Sequence, residues 1–539
     1  VTYKLSMPRF IVVTGGVLSG LGKGVTTASI SKILQSKGFN VIPIKIDGYL
    51  NTDAGTISPF EHGEVFVTDD GGETDLDLGH YERFLDISLG EENDQTTGKV
   101  YKTILEKERH GDYLGKTVQV IPHVTDEVKR RFYKIVKQRK ADIAVVEIGG
   151  TVGDLENMVY IETMRQMASE KPGSVLFVHL TLVPTIIGGE HKTKPTQGSV
   201  KVLQSMGVQP NIVICRADTE LSKDIKKKIS LFCSVPENCV ISNPDVKSLY
   251  ELPLIFEKQE LSKRIFERFN LKPKKTDLSH WRELAKRDRN PKRETTIVLA
   301  GKYAHPDAYL SIKEALRHAG VRHNCRVNVK LVETEDIEKE GAEKLLQGFD
   351  GMIVPGGFGE RGIEGKIMAV KYARENKIPF LGICYGLHMA TVEFARDVCG
   401  MKGAHTTEVD EKTKYPVIDL MPEQKDQCDK GGTMRLGAYD CEIKPRTLAH
   451  KVYGKTKISE RHRHRWEVNN DFRKQLEECG LVVSGINKKR DLVEIIEIAD
   501  HPYFIACQFH PEFKSRIEKP APLFDGLVKA ALSRSLGHP

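Results

Sequence analysis

The sequence predicts an α/β protein made of two doubly wound, mostly parallel sheets joined by a linker. Three observations predict it. Apolar strand-like runs alternate with helical patterns through the first half of the chain. A basic, Pro-containing stretch at residues 272–294 then breaks the alternation. A second series of the same kind follows it.

In the first series, residues 10–13 read as a buried strand, Phe-Ile-Val-Val. A Gly-rich turn follows, then a helix over 26–37, with Gly38 at a natural C-terminal cap. Further strands are expected at 41–46, 143–147, 175–182 and 212–215. The second series opens with a strand at 296–300. It continues through 351–354 and 379–382, and a helix is expected over 387–398. The division is therefore 1–271, a linker at 272–294, and 295–539, since 539 residues exceed what one core organises. There is no internal repeat or low-complexity tract.

The composition, 39% hydrophobic and 29% charged, fits a soluble globular protein. No apolar run approaches the ~20 residues that span a bilayer, and the first six residues carry no apolar export signal. The cytoplasm is the expected compartment. Ten cysteines show no CxxC pair or zinc-type spacing and fit as small core residues, and disulfides are not expected in that compartment. The net charge of +7 is concentrated. Residues 272–293 hold nine Lys/Arg against three Asp/Glu, which leaves the rest close to neutral. A solvated linker explains this better than a nucleic-acid footprint.

Thr14-Gly-Gly-Val-Leu-Ser-Gly-Leu-Gly-Lys-Gly-Val25 lies between the first strand and helix. Glycines let backbone N–H groups converge on phosphate oxygens at a helix N-terminus, and Lys23 can reach the outer phosphates. Val17 replaces the first Gly of the strict phosphate-loop pattern, and Gly24 stands where Ser or Thr would bind magnesium. An ordinary Gly-rich turn is the competing reading. The missing hydroxyl directs attention to Asp75, Asp77 and Glu147 as hard oxygen ligands for Mg²⁺, with loop capping as the alternative. Lys45, near the end of the second strand, can set a second cation beside a transferring phosphate, or simply be a surface Lys. Lys192-Thr193-Lys194-Pro195-Thr196-Gln197 suits a second triphosphate or a base edge, against a plain solvated loop.

Gly382-Ile-Cys-Tyr-Gly386 follows an apolar run and precedes a helical pattern. Small residues on either side of Cys384 permit the sharp strand-to-helix elbow of a nucleophile, where a helix N-terminus lowers the thiol pKa. Pro355-Gly-Gly-Phe-Gly359 can present backbone N–H groups as an oxyanion hole. His510-Pro-Glu512 supplies a base and its orienter. A strand would place both side chains on one face.

With these motifs in place, the chain resembles the CTP synthase family from about Met7 to Phe524. The first half carries strings specific to that family: residues 13–24, Ser58-Pro-Phe-Glu-His-Gly-Glu-Val65, Glu73-Thr-Asp-Leu-Asp-Leu-Gly-His-Tyr-Glu-Arg83, Glu147-Ile-Gly-Gly-Thr-Val-Gly-Asp154 and residues 192–197. The second half resembles a class I (triad) glutamine amidotransferase through Gly431-Gly-Thr-Met-Arg-Leu-Gly437, Glu460-Arg-His-Arg-His-Arg465 and Cys507-Gln-Phe-His-Pro-Glu512. The whole is a P-loop-type amidoligase domain fused to a glutaminase domain.

The resemblance implies a set of roles. Ser19, Gly20, Leu21, Gly22, Lys23, Gly24 and Val25 would hold nucleotide phosphates, Lys23 and Lys45 would assist phosphoryl transfer, and Asp77 and Glu147 would hold Mg²⁺. Residues 192–197 and Lys228 would contact UTP, while Asp154, Leu155, Glu156 and Glu162 would shape an overlapping feedback site for CTP. Pro244, Asp245 and Val246 would lie beside adenine. Gly357, Cys384, Tyr385, Gly386, Leu387, His388, Glu408 and Arg465 would bind glutamine, and Arg435 would lie on a lid loop linked to allosteric activation by GTP. The implied chemistry is phosphorylation of the UTP 4-oxygen by ATP. Ammonia released from glutamine at Cys384, or added directly, then displaces the phosphate. Homotetramers, as dimers of dimers, are implied too, with neither nucleic acid nor membrane as partner.

Three departures stand out. Gly48 replaces a common Pro, Asn243-Pro244 replaces a Lys-containing pair, and Tyr385 and His388 replace the usual Leu and Gln beside the nucleophile. Two rivals are a cobyrinate-type P-loop amidotransferase and a non-catalytic filament or regulatory homologue. The first is expected to lack the strings at 75–77 and 192–197. The second has no need to keep Lys23, Asp77, Glu147, Cys384 and His510 together.

Overall fold

The computed structural model describes residues 8–272, 277–302, 307–421, 424 and 432–537. The first six residues, Met7, Pro273 of the linker and Gly431 of one family string lie outside the described residues. Two compact units emerge. One comprises Val1–Ala54 with Asp77–Arg289, the other Gly55–Leu76 with Asn290–Pro539.

The first unit holds seven strands: β1 (Arg9–Gly15), β2 (Val41–Asp47), β3 (Asp94–Thr96), β4 (Ile143–Ile148), β5 (Val175–Leu182), β6 (Ile212–Ala217) and β7 (Val240–Pro244). They lie in the order β3-β2-β4-β1-β5-β6-β7, and every pairing is parallel. The central strands are buried on both faces, which is why they read as continuous Val/Ile runs rather than alternating ones. Strand order reverses beside β1, so the ends of β1, β2 and β4 open onto the switch point where such sheets bind ligands. Helix α1 (Lys23–Ser36) leaves β1 through the Gly-rich turn and starts three residues earlier than the sequence pattern indicates.

The basic stretch expected to be a solvated linker contains a helix, Ser279–Arg289. Its charges face outward while Trp281, Leu284 and Ala285 are buried. Trp281 packs on Phe84 and Tyr250, donates its indole N–H to the Tyr250 carbonyl at 2.8 Å, and lies under the Lys32 ammonium. An indole buries enough apolar surface to dock a helix that charge count alone would leave in solvent.

The second unit is built on nine strands: β8 (Arg293–Gly301), β9 (Cys325–Glu333), β10 (Gly351–Val354), β11 (Phe380–Ile383), β12 (Arg435–Ile443), β13 (Lys457–His464), β14 (Leu481–Asn487), β15 (Leu492–Ile498) and β16 (Phe504–Cys507). Their order is β9-β8-β10-β11-β16-β15-β14-β12-β13. The β9-to-β16 half is parallel, and the sheet continues through β15, β14, β12 and β13 in antiparallel pairings. Residues 55–76, from the first half of the sequence, belong here. Phe66 packs edge-on against Phe513, and Asp69 and Glu73 pair with Arg461 and Arg463 of β13 at 2.6 and 2.7 Å. All nine cysteines among the described residues are free thiols.

Candidate active sites

In the first unit the turn after β1 is shaped by positive backbone angles at Gly20 (φ 75°) and Gly22 (φ 90°), which glycine adopts without a Cβ penalty. Val17 adopts one too, at φ 84°, so the Gly-to-Val departure places a β-branched residue in a disfavoured region. Lys23 opens α1 and donates to the Gly150 carbonyl at 2.7 Å. Burial lowers its pKa, against the pull of Glu147. The absent hydroxyl at Gly24 has a structural counterpart. A Cβ there would stand 1.8 Å from Asp77 Oδ1, so the carboxylate occupies the room a side chain would need.

Lys45 and Glu147 are register partners on adjacent strands β2 and β4. The Lys45 ammonium is hydrogen-bonded to Asp77, 3.5 Å from Glu147 and 3.6 Å from Asp47. Glu147 also accepts from the Tyr81 hydroxyl. Burial, and then the Asp77 charge, push the Glu147 carboxyl up to about 7 against the two lysines. Asp75 belongs to the other unit, where it pairs with His62 at 3.1 Å. Among the described residues no group of three or more His, Cys, Asp or Glu is arranged to hold a metal. Mg²⁺ ordinarily takes one or two carboxylates and completes its shell with phosphate oxygens and water, so Asp77 with Glu147 fits as the protein's share.

In the second unit β11 runs into helix α2 (Tyr385–Asp397) through Cys384, whose φ of 51° and ψ of −104° form the expected elbow. The small neighbours are required. A Cβ on Gly386 would meet the Val354 carbonyl at 2.0 Å, and one on Gly382 would meet Ala506 at 2.8 Å. His510 Nδ1 and Glu512 are 2.7 Å apart. They reach this geometry from a 3₁₀ turn, Pro511–Lys514, and not from the strand expected, because β16 ends at Cys507 and Pro511 has no N–H for a ladder. Burial opposes the charge on His510, but Glu512 and Cys384 together outweigh it and raise the ring to about 10. Burial alone would raise the Cys384 thiol. The His510 charge, with hydrogen bonding from His464 and His510, brings it down to about 6.

The Gly-rich segment at 355–359 runs past this pair, with a Gly356 Cβ position 3.0 Å from the His510 ring. Gly359 donates to Glu408 at 2.7 Å, and Tyr385 donates to the Gly359 carbonyl at 3.0 Å. Two lysines hold the same loop. Lys302 donates to the Phe358 and Gly359 carbonyls, and the fully buried Lys366 donates to the Pro355 carbonyl at 2.9 Å, beneath Gly357. Burial lowers them to about 8 and about 7. Neither was distinguished in the sequence, where a Lys just past a strand, like Lys302, or in a helical pattern, like Lys366, reads as surface.

Residues 9–271 match the family model of the CTP synthase N-terminus, and residues 304–530 match that of the class-I glutamine amidotransferase. A CTP synthase of Caldanaerobacter subterraneus subsp. tengcongensis is 52% identical over 535 residues, covering 99% of this chain and 100% of the relative. One of Thermococcus gammatolerans is 55% identical over 537 residues, covering 98% and 100%. The chain belongs to the CTP synthase family. It is a ligase that forms a C–N bond, converting UTP to CTP with glutamine nitrogen in pyrimidine nucleotide synthesis. Among solved structures, the Trypanosoma brucei CTPS glutaminase domain with bound acivicin is 33% identical with a TM-score of 0.42, covering 44% of this chain and 94% of that one.

The remaining residues that the CTP synthase pattern assigns are placed as follows. Thr193, Thr196 and Gln197 are buried at the start of helix Lys194–Ser205, with Gln197 donating to Thr193 at 2.9 Å, while Lys192 pairs with Glu190. Asp154 accepts from the Thr151 N–H, and Leu155 stands 81% exposed. Glu162 is engaged by Arg165 and Gln166 on its own helix. Asp245 pairs with Arg216 at 2.6 Å just past β7. Gly48 is tightly enclosed, a Cβ there meeting Glu156 and Asn157 at 2.7 Å. Arg465 donates to Gln424 and Thr433.

Arg435, expected on a lid loop, is instead fully buried at the start of β12, between Glu467 at 2.8 Å and Glu494 at 2.6 Å. His388 Nε2–H donates to the Gln508 amide oxygen at 3.0 Å, and the Gln508 amide nitrogen lies 4.0 Å from Cys384 Sγ. Burial lowers His388 to about 4, so the imidazole is neutral. The sequence reading also missed His179, which bonds Thr14 at 2.9 Å and Ser199 at 2.7 Å under the phosphate loop.

Proposed function

We propose that this chain performs the reaction in two chemically separate sites, each using the residues its unit gathers. The carrying observation is the charge cluster of Lys45, Asp77 and Glu147 beside Lys23. It is what a site for phosphate transfer needs and what a glutaminase alone has no use for. In the first unit the turn at Ser19–Val25 receives the nucleotide phosphates, Lys23 and Lys45 offset charge as phosphate passes from ATP to the UTP 4-oxygen, and Asp245 and Val246 lie by the adenine. Asp77 and Glu147 hold Mg²⁺, which when bound shields phosphate oxygens and screens charge during transfer. Residues 192–197 with Lys228 bind the UTP triphosphate. CTP acts as feedback inhibitor at a site shared in part with UTP and completed by Asp154, Leu155, Glu156 and Glu162.

In the second unit Cys384 attacks the glutamine side-chain amide. His510 gives its proton to the departing ammonia, then takes one from the water that releases glutamate, and Glu512 holds the ring. Gly357, Gly386, Leu387, Glu408 and Arg465, with Tyr385 and His388, bind glutamine. GTP acts as activator and homotetramers as the working assembly, in the cytoplasm. No helix among the described residues is long and apolar enough to cross a membrane. The functional division follows 1–271, 272–294 and 295–539, with residues 55–76 serving the glutaminase half. The test incubates the chain with UTP, ATP, Mg²⁺ and either glutamine or ammonium. CTP from both nitrogen sources is expected, and none from either would refute the reading.

A further inference from the structure

Cys384 faces a second imidazole that the Cys384–His510–Glu512 set leaves unused. β13 ends at His464, and the carbonyl of its neighbour Arg463 lies 3.8 Å from Cys384 Sγ. His464 Nε2 is bound to Glu467 at 2.7 Å. Its other ring nitrogen, Nδ1, is buried without a hydrogen-bond partner, as is His510 Nε2. The same thiol engages both rings. The two arrangements match: each imidazole has a carboxylate on one nitrogen and leaves its other nitrogen buried and unbonded. Glu467 is fixed in turn by Arg435, at 2.8 Å, which spans to Glu494.

We propose that His464, oriented by Glu467, is a permanent second imidazolium for the Cys384 thiolate in glutamine hydrolysis. This rests on the glutaminase reading above. During acylation Sγ bonds to the amide carbon, the C–N bond breaks, and the proton on His510 leaves with ammonia. During hydrolysis the water oxygen bonds to that carbon, its proton passes to His510, and the C–S electron pair returns to sulfur. His510 is therefore neutral in the thioester intermediate. His464 keeps its proton throughout and faces the sulfur as negative charge returns to it. The groups facing His464 are Glu467, Cys384, the neutral His462 (ring centroids 5.2 Å apart) and His388, with Arg435 and Glu494 behind Glu467. Burial opposes the charge on His464. Glu467 and the thiol together outweigh it, raising the ring to about 9.

The test is the pH dependence of iodoacetamide alkylation at Cys384 in the full chain, read by mass spectrometry of its peptide. The buried Cys441 and Cys507 report loss of folding. The wild-type midpoint is expected near pH 6. His464→Gln and Glu467→Gln are each expected to raise it by about one pH unit or more. A midpoint unchanged in both variants overturns the proposal. A second measurement uses the unaltered protein with ¹⁵N-labelled histidine at pH 7.5. His464 is expected in the imidazolium form, and a neutral ring overturns the proposal. If alkylation and ring charge follow expectation but glutamine is not hydrolysed, the functional reading fails and the electrostatic assignment stands.

Discussion

The two sites solve opposite electrostatic problems. Around Lys45 the first unit crowds carboxylates that repel one another, and the Glu147 carboxyl is pushed up to about 7. Around Cys384 the second unit surrounds one acid with two raised imidazoles, and the thiol is pulled down to about 6. On the function proposed above, the first arrangement would be relieved by an arriving cation and phosphates. The second is already satisfied. A phosphate-transfer site gains by being poised for highly charged ligands, whereas a nucleophile must be ionised before its neutral substrate binds.

The sharpest way to break that comparison is Cys384→Ala. It is expected to lower glutamine-driven CTP formation by on the order of 10⁴-fold or more while ammonium-driven formation persists. A folded variant that loses both routes would show that the sites are not chemically separate. Lys23→Ala, Asp77→Ala and Glu147→Ala should instead reduce both routes, by about 10²–10⁴-fold, because each removes positive charge from the transferring phosphate directly or through the metal. Near-normal ammonium-driven turnover in any of them would remove that residue from the site.

The pH dependence sharpens the contrast. Cys384 ionises with a pKa depressed to about 6, so glutamine hydrolysis should fall as pH drops through 6 and the thiolate takes a proton. His510 holds its proton up to about 10, so the limb on the alkaline side should lie near there rather than near 7. A hydrolysis rate that still climbs between pH 7 and 9 would mean that the thiol is not ionised by its histidines. The smallest effect is expected for His388→Gln. The ring meets Gln508, which in turn approaches the thiol, so one exchanged hydrogen bond should change the glutamine KM by less than about tenfold. A collapse of glutamine turnover would assign His388 to the chemistry.

Features set by local spacing were legible in the sequence. The turn before Lys23 and the elbow at Cys384 need their glycines for steric reasons that hold within a few residues, and both formed as expected. Long-range pairings were not legible. Asp69 and Arg461 meet across 392 residues, and nothing in either neighbourhood announces the other. His464 lay inside a string noted for Arg465, and its distinction from His462 depends on which way the end of β13 turns each ring. The helix at Ser279–Arg289 was obscured by charge, although Trp281 carried the signal that docks it. The antiparallel extension in the second unit was missed because its strands are half-exposed and mixed with charge, so they lack the apolar runs that mark the parallel ones.

Residues 55–76 bear on how a gene for this protein can be cut. Expressing residues 290–539 alone would remove Asp69 and Glu73, and with them the carboxylates facing Arg461 and Arg463. Arg461 has a fully buried side chain whose charge Asp69 helps to offset, alongside the Phe513 carbonyl. A break in the coding sequence at the basic helix would therefore part β13 from two of the carboxylates that pair with it.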